Sequence, residues 1–293
     1  MHARSALFTL FGDVVRPAGG EAWLGVLTEC MGTLGFTPEA TRTALHRMTA
    51  EGWVEPRREG RYAAYRLTAR GVDRLAEAAA RIYRLRAEAW DGRWRLLISS
   101  SAGDSAELAP ALHWQGFGRL TRDTWISPHE HGARLDALLR AHGLDQSAIR
   151  FSTQPATGPS AQDPRIVRAA WDLDELQAAH TAFLERWSTQ TPPDDPRAAL
   201  GLRLALVHHW RSFLFLDPGL PLALLPGDWS GTAAAAAFRD LYEAVSPAAW
   251  RWYDDLVGDA ALAQGLALPD PVHHEDDSPF ARGLAALETT WSA

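Results

Sequence analysis

The side chains best suited to chemistry near the start of this sequence are arginines, and one group of them lies within a predicted helix. This stretch contains Thr41, Arg42, Thr43, His46 and Arg47. A guanidinium can donate two parallel hydrogen bonds to the edge of a guanine, and hydroxyl or imidazole groups can bind bases or phosphates. The stretch therefore predicts a surface that contacts double-stranded DNA.

A second group of arginines follows at the tip of a predicted β-hairpin. Arg57, Arg58 and Arg61 lie between two arms, Trp53–Pro56 and Tyr62–Leu67, and the second arm is rich in strand-forming residues. Arginines on such a tip can bind backbone phosphates or enter a narrow minor groove. We therefore expect the hairpin to add a second DNA contact.

Predicted helices precede the hairpin, and one of them carries the first group of arginines. Apolar spacing predicts helices over Ala3–Val15 and Glu21–Met31, and Thr37-Pro38 is a typical start for the helix that carries the first arginines. Helix, tight turn, second helix and basic hairpin is the order of a winged helix-turn-helix. A further helix, over 69–86, is expected to close this domain.

The distribution of charge agrees with a DNA-binding segment at the N-terminus. Residues 1–88 hold 13 arginines against 10 acidic residues, a balance of +3, and residues 89–293 hold 16 against 26, a balance of −10; together these give the net charge of −7. The single cysteine, Cys30, excludes an internal disulfide and favours a reducing, cytoplasmic setting. No apolar run is long enough to predict a membrane span.

The middle of the chain predicts a ferredoxin-like α+β domain. Strands are expected over 94–99, 117–120, 124–126 and 149–153, with helices over 106–114 and 132–142. Their order, β-α-β-β-α-β, is the ferredoxin-like pattern. The predicted fold class is therefore multidomain α+β, with a winged helix-turn-helix, a ferredoxin-like domain and a mostly helical C-terminal domain.

The C-terminal residues predict helices and carry many aromatic side chains. Helices are expected over 174–187, 198–215, 232–245 and 247–256. Trp210 and Trp229 belong to an aromatic set that can line a pocket for a flat apolar ligand or form an ordinary helical core. The sequence leaves both alternatives open.

Taken together, the residues of all three regions resemble the PaaX-type family of phenylacetic acid degradation repressors. The resemblance rests on Leu7–Asp13, Arg16-Pro17, Trp23–Gly25, Arg42–Leu45, Gly52-Trp53, Arg57–Arg61, Tyr65–Thr68, Trp94–Leu97, Gly116–Gly118, Trp125–Pro128, Asp217–Pro221, Leu224–Pro226, Trp229 and Gly231. It implies a winged helix-turn-helix over 1–88, a Cas2-like domain over 89–165 and a helical domain over 166–293. It also implies a homodimeric repressor of an aromatic-acid catabolic operon, released from a palindromic operator by an aryl-CoA thioester.

The implied effector points to a small set of candidate ligand residues. Arg203 and Arg211 are cations that could bind CoA phosphates, and Trp210 and Trp229 could line the aromatic pocket. The expected partners are operator DNA, a second copy of the chain and the effector. No cofactor is expected.

Two other function classes are weighed against the repressor. A hydrolase or metal-dependent nuclease could use the histidine-rich segments, which are His129–His131, His208-His209 and 273–277. However, the sequence lacks the G-x-S-x-G, H-E-x-x-H and phosphate-loop motifs. Metal-dependent cleavage needs a carboxylate, which the similarity to Cas2 implies at the end of the first strand of this domain, but here that strand ends in serines. We therefore expect no catalytic residue and no metal. A DNA-binding architectural protein without a ligand is the third alternative.

Overall fold

The computed structural model describes most of the chain, and the chain divides into two compact units. Described residues are 1–59, 62–83, 90–100, 105–154, 162–266 and 279–280. The first unit comprises residues 1–85, 183–211 and 235–293, and the second comprises 86–182 and 212–234. Residues 166–293 are therefore divided between both units. No helix in the described part of the chain is both long and apolar enough to cross a bilayer.

The first unit combines helices with a three-stranded antiparallel sheet. Its elements are α1 (Ala3–Leu10), β1 (Glu21–Trp23), α2 (Leu24–Gly32), α3 (Pro38–Ala50), β2 (Val54–Glu59), β3 (Tyr62–Leu67), α4 (Ala69–Ile82) and, from the C-terminal half, α9 (Pro196–Trp210). The strands lie in the order β1-β3-β2. Buried side chains of α1, α2, α3 and α9 form one continuous core, which Ala249 and Tyr253 complete.

One predicted helix start in this unit was wrong. Glu21 does not begin a helix, because Glu21, Ala22 and Trp23 pair with β3 as a short strand after two glycines with positive φ. A three-residue strand is too short to show an alternating pattern. Helical structure continues after α1, but Phe11–Val15 forms a π-helix, an irregularity that often marks functional positions.

The second unit contains a ferredoxin-like domain. Its elements are β4 (Trp94–Ile98), α5 (Leu108–Trp114), β5 (Gly118–Arg119), β6 (Thr124–Ser127), α6 (Gly132–Ala141), β7 (Ile149–Thr153) and α7 (Asp163–Ala170). The strand order is β5-β6-β4-β7 with antiparallel pairs throughout. This confirms the β-α-β-β-α-β prediction. One sheet face packs on α5 and α6, and Trp94 and Ile126 pack against α7 on the other.

Two long helices have residues in both units. They are α8 (Leu173–Trp187) and α10 (Ser230–Ala263). The sequence predicts a break at Pro247, but α10 continues through it. Proline removes one backbone hydrogen bond from a helix, and here Val245, Ala249 and Tyr253 are buried on both sides of the proline. Burial of this continuous face offsets the lost hydrogen bond.

Candidate nucleic-acid interface

Helix α3 begins where the sequence predicts. Thr37 is the N-cap, and its side-chain oxygen accepts a hydrogen bond from the Ala40 amide at 3.2 Å. Pro38 occupies the first helical position, where its missing N–H costs nothing. Gly52, at φ +73°, then turns the chain into the hairpin. These local signals fix both ends of the helix that carries the first arginine group.

Four of the five predicted residues on α3 are exposed. They are Arg42, Thr43, His46 and Arg47. The opposite face packs into the core through Ala44, Leu45 and Met48. Arg42 lies 3.6 Å from Glu39, but both side chains are more than half exposed. An exposed ion pair is weak, so a phosphate or a base can take the place of Glu39 as the partner of Arg42. The exposed face therefore offers two guanidinium groups and two smaller polar groups to a ligand.

Thr41 does not lie on this face, so its predicted outward orientation was wrong. Its side chain is fully buried, and its hydroxyl donates a hydrogen bond to the Thr37 carbonyl at 3.1 Å. Thr41 shares the helical spacing of Ala44, Leu45 and Met48 and therefore points into the core. A hydroxyl that bonds to its own helix backbone can be buried in this way.

The predicted hairpin is formed by β2 and β3, which pair from Val54↔Leu67 to Glu59↔Tyr62. Arg57 and Arg58 are exposed, although they lie within β2 and not at the tip. Arg61 lies outside the described residues.

Sequence reasoning missed a second arginine beside Arg57. The Glu21 carboxylate lies 3.4 Å from Arg57 and 3.6 Å from Arg66, an exposed residue of β3. The alternation of Tyr65, Arg66 and Leu67 could have indicated this position, because alternate residues of a strand point to opposite faces. The base of the hairpin therefore holds two arginines around one partly buried acid.

Aromatic packing connects the hairpin to the helices. Phe8 of α1 meets Trp53 edge-to-face at 5.1 Å, and the Arg70 guanidinium lies 4.6 Å from the Trp53 ring centroid. The Thr68 hydroxyl caps α4 and donates to the Gly52 carbonyl at 2.8 Å. These contacts hold α3 and the hairpin in a fixed relative orientation.

The predicted ligand residue Arg203 lies in the core of the first unit. Its side chain is 1% exposed and forms an ion pair with Asp13 at 2.9 Å. It also donates to the Tyr242 hydroxyl at 2.7 Å and lies over the Trp250 ring at 4.2 Å. Burial by itself would lower the pKa of Arg203, but the Asp13 carboxylate outweighs this and raises it.

The other three predicted ligand residues lie in different surroundings. Trp210 stacks on Phe238 at 4.8 Å and belongs to the first unit, as does Arg211 at the end of α9. Trp229 belongs to the second unit and meets His180 edge-to-face at 5.3 Å. The four residues are therefore not members of one cluster within one unit.

The histidine-rich segments make ordinary protein contacts. His131 stacks on Phe117 at 4.3 Å and its Nε2 lies 2.8 Å from the Ser127 hydroxyl, and Glu130 pairs with Arg95. His209 accepts a hydrogen bond from the Trp187 indole at 2.7 Å. Across the described ranges no group of three histidine, cysteine or acidic side chains could hold a metal. The segment 273–277 lies outside those ranges.

The end of β4 carries serines in the structure as in the sequence. Ser99 follows Ile98 and is buried. Asp104, the first acid after this strand, lies outside the described residues, so the structure does not test its position. Residues 94–100, which are described, contain no carboxylate that could act as a metal ligand.

These features define a class of protein: a multidomain α+β protein with a helix–hairpin module, a Cas2-like domain and helical C-terminal segments. Three family models match in the same order. They describe a PaaX-like protein over 2–71, the PaaX central Cas2-like domain over 87–166 and the PaaX-like C-terminal domain over 171–255. The "Transcriptional repressor PaaX" of Escherichia coli (strain K12) is 35% identical over 255 residues, which cover 84% of this chain and 81% of that protein. The chain belongs to the PaaX family.

Proposed function

We propose that this chain is a DNA-binding transcriptional repressor of an aromatic-acid, phenylacetate-type catabolic operon. The observation that carries the proposal is the exposed face of α3, with Arg42, Thr43, His46 and Arg47, beside a hairpin that exposes Arg57 and Arg58. The similar Escherichia coli protein, "Transcriptional repressor PaaX", supports the same function.

In this proposal residues 1–88 work as a winged helix-turn-helix. Helix α3 enters the major groove, and the β2–β3 hairpin lies against the flanking phosphates. Arg61, which follows β2 in the sequence, is expected to add a phosphate contact. Residues 89–165 form the central domain and residues 166–293 the effector-responsive region. In this proposal the repressor acts in the cytoplasm and needs neither a catalytic residue nor a metal for its function.

We further propose that two copies bind a palindromic operator and that an aryl-CoA thioester releases them. The exposed groups on one α3 can contact only a few base pairs, so a dimer is needed to specify a longer site. Release requires that the effector bind more tightly to the form of the dimer that does not fit the operator.

Replacing Arg42 and Arg47 together by alanine tests the groove assignment. We expect the double variant to lose specific operator binding because guanidinium contacts with base edges contribute about 1–3 kcal/mol each. Fluorescence anisotropy at fixed salt measures affinity, and circular dichroism checks the fold. The matched control is Arg197→Ala with Arg239→Ala, which removes equal charge from α9 and α10. Operator affinity unchanged in the double variant would contradict the assignment.

Titration of the protein–operator complex with phenylacetyl-CoA, CoA and phenylacetate tests the effector. Dissociation by the thioester alone supports a ligand-released repressor. A complex that persists with every compound would instead support a ligand-independent architectural protein.

A further inference from the structure

Arg211, the residue that follows α9, is a largely buried cation whose environment differs from that of Arg203. Its guanidinium donates one hydrogen bond, to the Ser5 hydroxyl at 2.9 Å. Among the described residues no carboxylate lies within ion-pair distance of it, and burial lowers its pKa without an opposing acidic neighbour. Arg203 is buried as well, but it is paired with Asp13. A buried charge without an acidic partner is unfavourable.

Two further polar side chains, His208 and Thr9, lie next to Arg211 and Ser5. His208 is one turn earlier on α9, and its Nδ1 lies 3.0 Å from the Thr9 hydroxyl. Thr9 follows Ser5 by one turn of α1, and its hydroxyl lies 3.3 Å from the Ser5 carbonyl. Burial and the nearby Arg211 lower the pKa of His208 to about 4. The imidazole is therefore neutral at neutral pH, and its single N–H is free, on Nε2, in the tautomer in which Nδ1 accepts from the Thr9 hydroxyl.

The negative end of the α9 dipole favours a cation at this position and offsets part of the cost of burial. It does not supply acceptors for the other donors of the guanidinium, which form a planar fork. A tetrahedral oxyanion supplies several acceptors at once and can meet the fork with two parallel hydrogen bonds. The hydroxyl of Ser5 and the imidazole of His208 can donate to its remaining oxygens.

We propose that Arg211, His208 and Ser5 form a binding site for a phosphate group of a small-molecule ligand. The sequence analysis expected Arg211 as one of several candidate ligand residues; the donor set around it, from Ser5 and His208, and its independence from the identity of the ligand go beyond the proposed function. If the ligand is the aryl-CoA effector, this cluster binds one of its phosphates. Only this identification of the ligand rests on the proposed function.

Isothermal titration of the full chain with inorganic pyrophosphate, CoA and phenylacetate tests the site. We expect Arg211→Gln to weaken pyrophosphate and CoA binding by about tenfold or more, the usual effect of losing a charge-assisted contact. Phenylacetate, which has no phosphate, should show no dependence on Arg211. The control Arg239→Gln removes a partly exposed arginine of the same unit and should leave all three affinities within about twofold of the wild type.

A second pair of variants keeps the test valid if Arg211→Gln does not fold. Arg211→Lys retains the charge without the planar fork, and Ser5→Ala removes one donor. We expect each to weaken pyrophosphate binding by roughly threefold to tenfold. Wild-type affinity for pyrophosphate and CoA in all the folded variants would overturn the proposal.

Operator binding separates this proposal from the proposed function. Without ligand, Arg211→Gln should bind the operator like the wild type; a parallel loss of operator affinity would assign Arg211 to DNA and overturn the small-molecule site. Arg211-dependent binding of CoA without operator release supports the site and contradicts the effector. If Arg211→Gln leaves unchanged the phenylacetyl-CoA concentration needed for operator release, the assignment of this site to the aryl-CoA is overturned and the repressor proposal stays intact.

Discussion

Asp13 and Arg203 are 190 positions apart in the sequence, and their ion pair is the main polar interaction within the core of the first unit. The Asp13 carboxylate also accepts hydrogen bonds from the Tyr83 and Tyr242 hydroxyls. Burial raises the pKa of both tyrosines, so both remain protonated donors at neutral pH. The four side chains join the π-helical segment after α1 to α4, α9 and α10.

Breaking this pair from one side should be more harmful than replacing both partners. We expect Arg203→Met to cost about 3–5 kcal/mol of unfolding free energy, because it leaves the buried Asp13 carboxylate without its counterion. Adding Asp13→Leu should recover a large part of that loss. Urea unfolding of the two single variants and the double variant measures the coupling. Additive losses would show that the two charges do not depend on each other.

His131 should make the stability of the protein sensitive to acid. Burial, chiefly, lowers its pKa to about 3, against 6.5 for an ordinary histidine. Between pH 6.5 and 3 the unfolded chain therefore binds a proton at His131 more readily than the folded chain does. The contribution of the neutral imidazole to the free energy of unfolding is complete above pH 6.5 and is lost as pH falls towards 3.

Replacement of His131 by asparagine should make the dependence of unfolding free energy on pH shallower between pH 6.5 and 4. Urea unfolding at several pH values measures this slope. An unchanged slope in His131→Asn would contradict the assignment.

At the scale of elements, Gly71 allows α4 to approach the start of the hairpin. A Cβ atom at this position would lie closer than 3.0 Å to the Trp53 carbonyl oxygen, which is backbone and cannot rotate away. The Gly71 amide donates a hydrogen bond to the Thr68 side-chain oxygen at 3.1 Å, which fixes the start of α4 close to Trp53. Close packing between α4 and the hairpin therefore depends on a residue without a side chain.

Gly71→Ala should lower the melting temperature, although alanine normally stabilises a helix interior by up to about 1 kcal/mol over glycine. Gly25→Ala in α2 is the matched control, because a Cβ atom there meets nothing within 4 Å. We expect this control to leave the melting temperature unchanged or to raise it. Calorimetry of both variants checks the prediction, and equal shifts would show that the Trp53 contact does not limit packing.

For the whole molecule, the proposed dimer predicts a strict geometry of the operator. Two α3 helices related by two-fold symmetry meet the same face of DNA when half-site centres are separated by about 10 base pairs or a multiple. Inserting five base pairs between the half-sites should abolish tight binding, and inserting ten should restore part of it. Gel-shift titrations measure this, with analytical ultracentrifugation for the mass of the complex. Equal affinity for all three spacings would indicate independent monomers.

The sequence by itself determined the elements whose signals are local. The cap at Thr37-Pro38 determined where α3 begins, and helical spacing predicted that Arg42 and Arg47 lie on its exposed face. Alternating apolar residues predicted the bounds of β7, Ile149–Thr153. Strand and helix order then predicted the ferredoxin-like domain. Each of these signals lies within a few residues of the element that it determines, because capping, side-chain period and turn chemistry act over short distances along the chain.

Only the tertiary structure decided features that depend on distant partners. Glu21 begins a strand because β3 pairs with it, and the helix around Pro247 continues because its neighbours are buried. Arg203, expected at a ligand, pairs with Asp13 in the core, whereas Arg211 has no acidic partner among the described residues. Both arginines follow similar patterns of helical residues. Which cation is neutralised depends on contacts that form only when remote segments pack together, and sequence periodicity carries no information about them.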